Sequence, residues 1–138
     1  MPKKKPPGEE PTLWEVVFHE EFVSKEWGAM DAEQRVALLA AAKALACVGP
    51  TGGRPLIGTL ENGRHPNMKE LRYDAHAGTQ VWRAAFAFDP ARHAVVLVAG
   101  EKQGRGEKAF YAKLLRRAND RFSDYLLANQ AASQRRKK

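Results

Sequence analysis

Hydrophobic and polar positions divide this chain into segments of two different periods. Between residues 64 and 102 the period is close to two. Polar and apolar residues alternate over 68–74, an apolar run interrupted by Arg83 covers 79–89, and a nearly unbroken apolar run covers 94–99. Runs of this kind, bounded by Gly, Pro, Asp and Asn, predict three strands. Hairpin turns are expected at Ala77-Gly78 and Asp89-Pro90. Residues 12–18 (TLWEVVF) are rich in β-branched and aromatic side chains and predict an earlier strand.

Elsewhere the period is helical. Over residues 19–30, Phe22, Val23, Glu26 and Trp27 predict a short helical stretch that Gly28 can stop. Residues 31–48 predict the clearest helix: Asp31 and Gln34 have the spacing of a capping box, and Val36, Leu39, Ala42 and Ala46 recur about every 3.6 residues. Gly49-Pro50 ends that helix, and residues 50–66, with four glycines and three prolines, predict a loop. After the breakers at 104–106, residues 107–130 predict a long helix. Its core stripe is Phe110, Leu114, Ala118, Phe122 and Leu126, widened by Leu115, with Arg116, Arg117 and Arg121 largely off it. The order β-α-α-β-β-β-α predicts an α+β domain, with two N-terminal helices and a C-terminal helix packed on one face of a small antiparallel sheet.

At 138 residues the chain is expected to form one domain, over residues 12–130. A Pro-, Lys- and Glu-rich tail at 1–11, with nothing to bury, is expected to be disordered, and a basic tail at 131–138 to fray. The balance of 43% hydrophobic and 28% charged residues suits a soluble globular protein. No apolar run approaches the ~20 residues of a membrane span. The basic N-terminus is not followed by the apolar stretch of a secretory signal, so the cytoplasm is the expected location. Cys47 is the one cysteine; it has no disulfide partner, no Cys/His spacing suggests zinc, and it is expected to be a small buried hydrophobe.

The net charge of +7 is unevenly distributed. Residues 12–63 carry −3, residues 64–117 carry +6 and the last four residues +4. Arg64, Lys69, Arg72, Arg83, Arg92 and Lys102 lie on or beside the predicted strands. A polarised basic surface favours an extended polyanion, because neutralised phosphates release condensed counterions. Arg83 has the strongest individual claim, since a lone arginine in an apolar strand must reach solvent, an anion, or an ion-pair partner such as Glu70 or Asp89.

Five motifs occur in a telling order: Gly53-Arg54-Pro55; Arg64-His65-Pro66-Asn67-Met68-Lys69-Glu70-Leu71-Arg72; Phe86-Ala87-Phe88-Asp89; Gly100-Glu101-Lys102; and Phe110-Tyr111. Together they resemble the RelE/ParE superfamily of type II toxin–antitoxin toxins, in its phage-derived HigB-like branch. The resemblance implies a microbial-RNase-like fold and a ribosome-dependent mRNA endoribonuclease needing no metal or other cofactor. It implies a cognate antitoxin as partner, expected to be a small helix-turn-helix protein, with the ribosome and mRNA as targets.

Metal-free RNA cleavage needs a base for the ribose 2′-hydroxyl, cations for the phosphorane, and an acid for the leaving 5′-oxygen. By resemblance, Lys69, Arg72 and Arg83 face the scissile phosphate while Lys102 and Tyr111 line the other side. Arg83 and Arg72 are the expected phosphate-stabilising cations, Lys69 or His65 the base, and Tyr111 the acid or a stacking platform. Arg64, Arg92, Lys102, Arg116 and Arg117 are the further RNA-binding candidates, Arg116 and Arg117 alternatively meeting the antitoxin. His65 could equally be structural, and relatives often carry a tryptophan where residues 104–108 read GRGEK. ParE-type members share the fold yet poison DNA gyrase, so that activity is the alternative, as is a degenerate toxin that only binds its antitoxin.

Overall fold

The computed structural model describes residues 13–103 and 106–136, with side chains through residue 132. The tail at 1–11, Thr12 and the Gly104-Arg105 part of the GRGEK segment lie outside the described residues. Strand β1 (Glu15–Phe18) leads into a short helix α1 (Glu20–Phe22) that continues as a π-helical turn, Val23–Trp27. Helix α2 (Ala32–Val48) follows, then β2 (Ile57–Thr59), β3 (Met68–Ala75), β4 (Gln80–Phe88), β5 (His93–Glu101) and α3 (Glu107–Arg136). The fold is α+β, as the sequence predicts, and α3 runs past residue 130 into the stretch expected to fray.

Three features depart from expectation. The five strands are ordered β1-β5-β4-β3-β2, and β1 pairs with β5 in parallel, so the sheet is mixed. Within the stretch expected to be only loop, residues 57–59 form β2, whose Gly58 lies opposite Glu70. The helices cover both faces instead of one. Phe22, Leu38 and Leu45 pack with Leu71, Ala84, Phe86 and Val96 on one face. Leu114, Ala118 and Phe122 pack with Ala85, Ala87, Val95 and Leu97 on the other.

Local chemistry explains most of the boundaries. Asp31 and Gln34 form the expected capping box, each side chain bonding the other's backbone N–H at 2.9 Å. Gly49 ends α2 with a φ of 55°, a left-handed conformation that glycine adopts without a Cβ penalty. The buried side of α2 is Leu38, Ala41, Ala42 and Leu45, whereas Val36 and Leu39 are exposed, as is Cys47. Residues 36–48 are apolar on nearly every side, so their period does not single out one face.

Arg121, expected off the α3 stripe, is instead buried at 4% exposure. Its guanidinium donates to Glu26 Oε1 at 2.8 Å and to the Leu97 carbonyl at 2.7 Å. Leu97 is the extra residue of a β-bulge, since Phe86 pairs with Val96 while Ala85 pairs with Val98.

Candidate active site

Strand parity decides which side chains meet. On β3, Leu71, Tyr73 and Ala75 face α2, so Glu70 and Arg72 face α3. On β4, Trp82, Ala84, Phe86 and Phe88 face α2, so Arg83 joins them on the α3 side. Without the bulge at Leu97, alternation along β5 would turn Lys102 toward α2. The extra residue shifts the parity, and Lys102 reaches α3: its ammonium pairs with Glu107 and lies 5.7 Å from the Tyr111 ring centroid.

Arg72, Arg83, Lys102 and Tyr111, four of the residues singled out from sequence, therefore converge at the start of α3. Arg72 and Arg83 are direct cross-strand partners, an arrangement of like charges that costs stability unless something anionic compensates. Arg83 is 6% exposed; its Nη1 donates to the Trp82 carbonyl at 2.8 Å, and its buried Nε has no hydrogen-bond partner among the described residues.

The sequence reading considered the group at the centre of the cluster only as an ion-pair partner for Arg83, whereas its ion pair is with Arg72. Glu70 is 4% exposed, its Oε1 lies 3.2 Å from Arg72 Nη1, and its buried Oε2 has no hydrogen-bond partner among the described residues. The carboxylate fits only because residue 58 is glycine: a Cβ there would sit 2.8 Å from Glu70 Oε1. A signal did exist, since Glu70 and Arg72 are two residues apart on one strand and so share a face.

Tyr111 adjoins this carboxylate. Burial pushes its pKa above the ordinary phenol value and Glu70 pushes it further, while Arg83 and Lys102 pull the other way. The hydroxyl is therefore protonated at neutral pH. Glu107 is held below the usual carboxylate range chiefly by Lys102, with smaller contributions from Arg83 and Arg72. Glu70 and Tyr111 line a groove of about 450 Å³ between the β2–β3 connection and α3, together with Leu60, Asn62, Lys108 and Leu115.

The remaining candidates lie elsewhere. Lys69 is one residue out of phase with Arg72, paired with Thr59 and Phe86, and alternation sends it to the α2 face. His65 packs edge-on against Phe122 and sits 3.0 Å from Ser123 Oγ. Ser123 is about 18 Å along α3 from Tyr111, by the helical rise. Burial and neighbouring Arg64 lower the His65 pKa. Arg64 docks on the same part of α3, its backbone N–H on Asn119 and its guanidinium near Ser123 and Asp120. Arg92 stacks on Trp14 at the β4–β5 turn, the opposite end of the hairpin from Arg83. Asp89, considered as a partner for Arg83, bonds His93 and Tyr125 instead. Arg116 is exposed, and Arg117 lies 3.6 Å from Glu26.

A family model for phage-derived Gp49-like proteins matches residues 25–123. HigB2, named as a candidate toxin of Mycobacterium tuberculosis strain H37Rv, is 36% identical over 118 residues, which are 86% of this chain and 58% of that protein. HigB3, a candidate toxin of the same strain, is 36% identical over 104 residues, 75% of this chain and 87% of that protein. The chain thus spans a little over half the length of HigB2 and most of HigB3. No solved structure matches it significantly. On the family match and these identities together, the chain belongs to the phage-derived Gp49-like family and is HigB-like.

Proposed function

We propose that this protein is the toxin of a type II toxin–antitoxin system, acting in the cytoplasm as a metal-independent, ribosome-dependent mRNA endoribonuclease neutralised by a cognate antitoxin. The observation that carries the reading is the pairing of Arg72 with Arg83 beside a buried Glu70 that adjoins Tyr111. Glu70 offsets part of the repulsion between the two opposed guanidiniums by pairing with Arg72, and a phosphate between them would offset the rest.

The roles follow from chemistry. Glu70 Oε2 takes the proton of the ribose 2′-hydroxyl as that oxygen attacks phosphorus. Arg83, Arg72 and Lys102 stabilise the charge of the pentavalent transition state. Protonated Tyr111 gives its proton to the departing 5′-oxygen, leaving a 2′,3′-cyclic phosphate and a 5′-hydroxyl. Each placed donor of this kind is worth about 10²–10³ in rate. Glu70 replaces Lys69 and His65 as the base, because neither of those shares the cluster.

The test is to induce the protein alone and map transcript 5′ ends with translation running and with it blocked. Cuts within reading frames that disappear when ribosomes are blocked are the expected result. Growth arrest with intact transcripts and DNA damage would move the assignment to gyrase poisoning. A stable, non-toxic product with neither effect would leave only antitoxin binding.

A further inference from the structure

Helix α3 has a second cleft on its other flank. It holds about 330 Å³ between α3 and the end of β5, and it is distinct from the groove that contains Glu70. Phe110 and Tyr111 sit side by side with rings 5.2 Å apart, Tyr111 lining the Glu70 groove and Phe110 the second cleft.

Three features of this cleft fit one ligand chemistry. Strand β1 ends at Phe18 opposite Val96, so among the described residues no strand runs beside the end of β5. Lys102 donates its N–H across to the Val81 carbonyl on β4, and alternation then turns the N–H and C=O of Ala99 toward the open edge. A donor and acceptor on one residue can meet the adjacent acceptor and donor on the edge of a nucleobase. Phe110 rests on Gly100, where a Cβ would come within 3.2 Å of the ring, and so offers a fixed aromatic surface. Lys113 on α3 places a cation at the rim, and Arg117, one turn further on, lines the cleft while lying 3.6 Å from Glu26.

Gly100 is the cross-strand partner of Arg83, which joins the cleft to the phosphate-binding cluster. From these features we propose that the cleft is a nucleobase subsite for an RNA residue flanking the scissile phosphate. The proposal rests on the nuclease reading above. RNA is favoured over a peptide because cations, an aromatic surface and a phosphate-binding cluster are contiguous here.

The experiment has two arms. Isotope-labelled protein is titrated with each of the four ribonucleoside 5′-monophosphates, and amide shifts are followed. Shifts at Ala99, Glu101 and Phe110 that differ between bases are expected; shifts confined to Glu70 and Tyr111, or none, overturn the proposal. In the second arm, cut sites are mapped for Phe110→Leu and Lys113→Ala. Base preference at one position beside the cut should fall at least about fivefold in Phe110→Leu, the scale of a lost base–aromatic stack. Lys113→Ala should weaken mononucleotide binding with little change in that preference. Unchanged preference in Phe110→Leu overturns the subsite, as does a defect in antitoxin neutralisation alone. Loss of all cleavage in the unmodified protein would instead defeat the nuclease reading, while the titration still reports on the cleft.

Discussion

Arg72 and Arg83 face one another across β3 and β4; Glu70 pairs with Arg72, while Arg83 donates to the Trp82 carbonyl. Replacing Arg83 by methionine keeps most of its volume and removes the repulsion. We expect mRNA cleavage to fall at least about 10²-fold. The urea midpoint should be unchanged or higher, as when site residues are held at a cost to stability. A lower midpoint with retained cleavage would show Arg83 to be structural. Glu70→Gln is isosteric and should reduce cleavage by about 10²–10⁴-fold, the range of a lost general base, with near-normal stability. Gly58→Ala should reproduce part of that loss, because the new methyl displaces the carboxylate. At this scale the chain was half legible. Arg83 advertised itself as a charge in an apolar strand, and Arg72, Lys102 and Tyr111 were found through motif order. Glu70 was legible only as a possible partner for Arg83, and its central place depends on β2, too short at three residues to leave a pattern.

Among the elements, α3 is tied to the rest of the fold by Arg121. Its guanidinium joins Glu26 of the π-helical turn to the carbonyl freed by the β5 bulge, and that bulge aims Lys102 at the site. Removing Arg121 leaves buried Glu26 with only the longer 3.6 Å contact to exposed Arg117, so Arg121→Ala should cost about 3 kcal/mol in denaturant unfolding, the low end for a broken buried pair. An effect under about 1 kcal/mol, the level of an exposed pair, would sink this account. The β4–β5 turn is held by Asp89, whose carboxylate accepts from the backbone N–H groups of Ala91 and His93 and from the Tyr125 hydroxyl. Burial alone would raise the Asp89 pKa, but the hydrogen bonds from Tyr125 and His93 outweigh it and leave the group below its ordinary value. A depressed folded pKa stabilises the fold above the unfolded value, near 3.9, and the benefit disappears as pH falls through the folded pKa. Unfolding free energies of the wild type and Asp89→Asn should therefore converge below about pH 4; a gap constant from pH 6 to pH 2 would contradict it. The capping box of α2 was readable because it depends on residues three apart, while the buried face was not, because an Ala/Leu-rich helix offers more than one.

Over the whole molecule, charge is segregated: the first half of the body is acidic and residues 64–117 carry +6. Much of that charge serves the fold. Arg64, Arg92, Arg117 and Arg121 each contact α3, Trp14 or Glu26, and the candidate phosphate-binding set reduces to Arg72, Arg83 and Lys102, with Lys113 at the second cleft. If these four cations engage single-stranded RNA, the slope of log affinity against log salt should be about −3. A slope several times steeper would mean that the other basic residues also contact the phosphate backbone.

The sequence alone determined the α+β class, the order and approximate limits of the main strands, the capped helix α2, and four residues that the fold brings into one cluster. Periodicity, breakers and capping act over a few residues, and motif order survives without coordinates. Tertiary structure decided which sheet face each helix covers, the parallel pairing of β1 with β5, the inward turn of Arg121 and the separation of Lys69 and His65 from the cluster. It also decided that Glu70 stands at the centre. Those outcomes depend on strand parity, on one bulge residue at Leu97 and on a glycine opposite a carboxylate, relations between segments distant in the chain that no local period encodes.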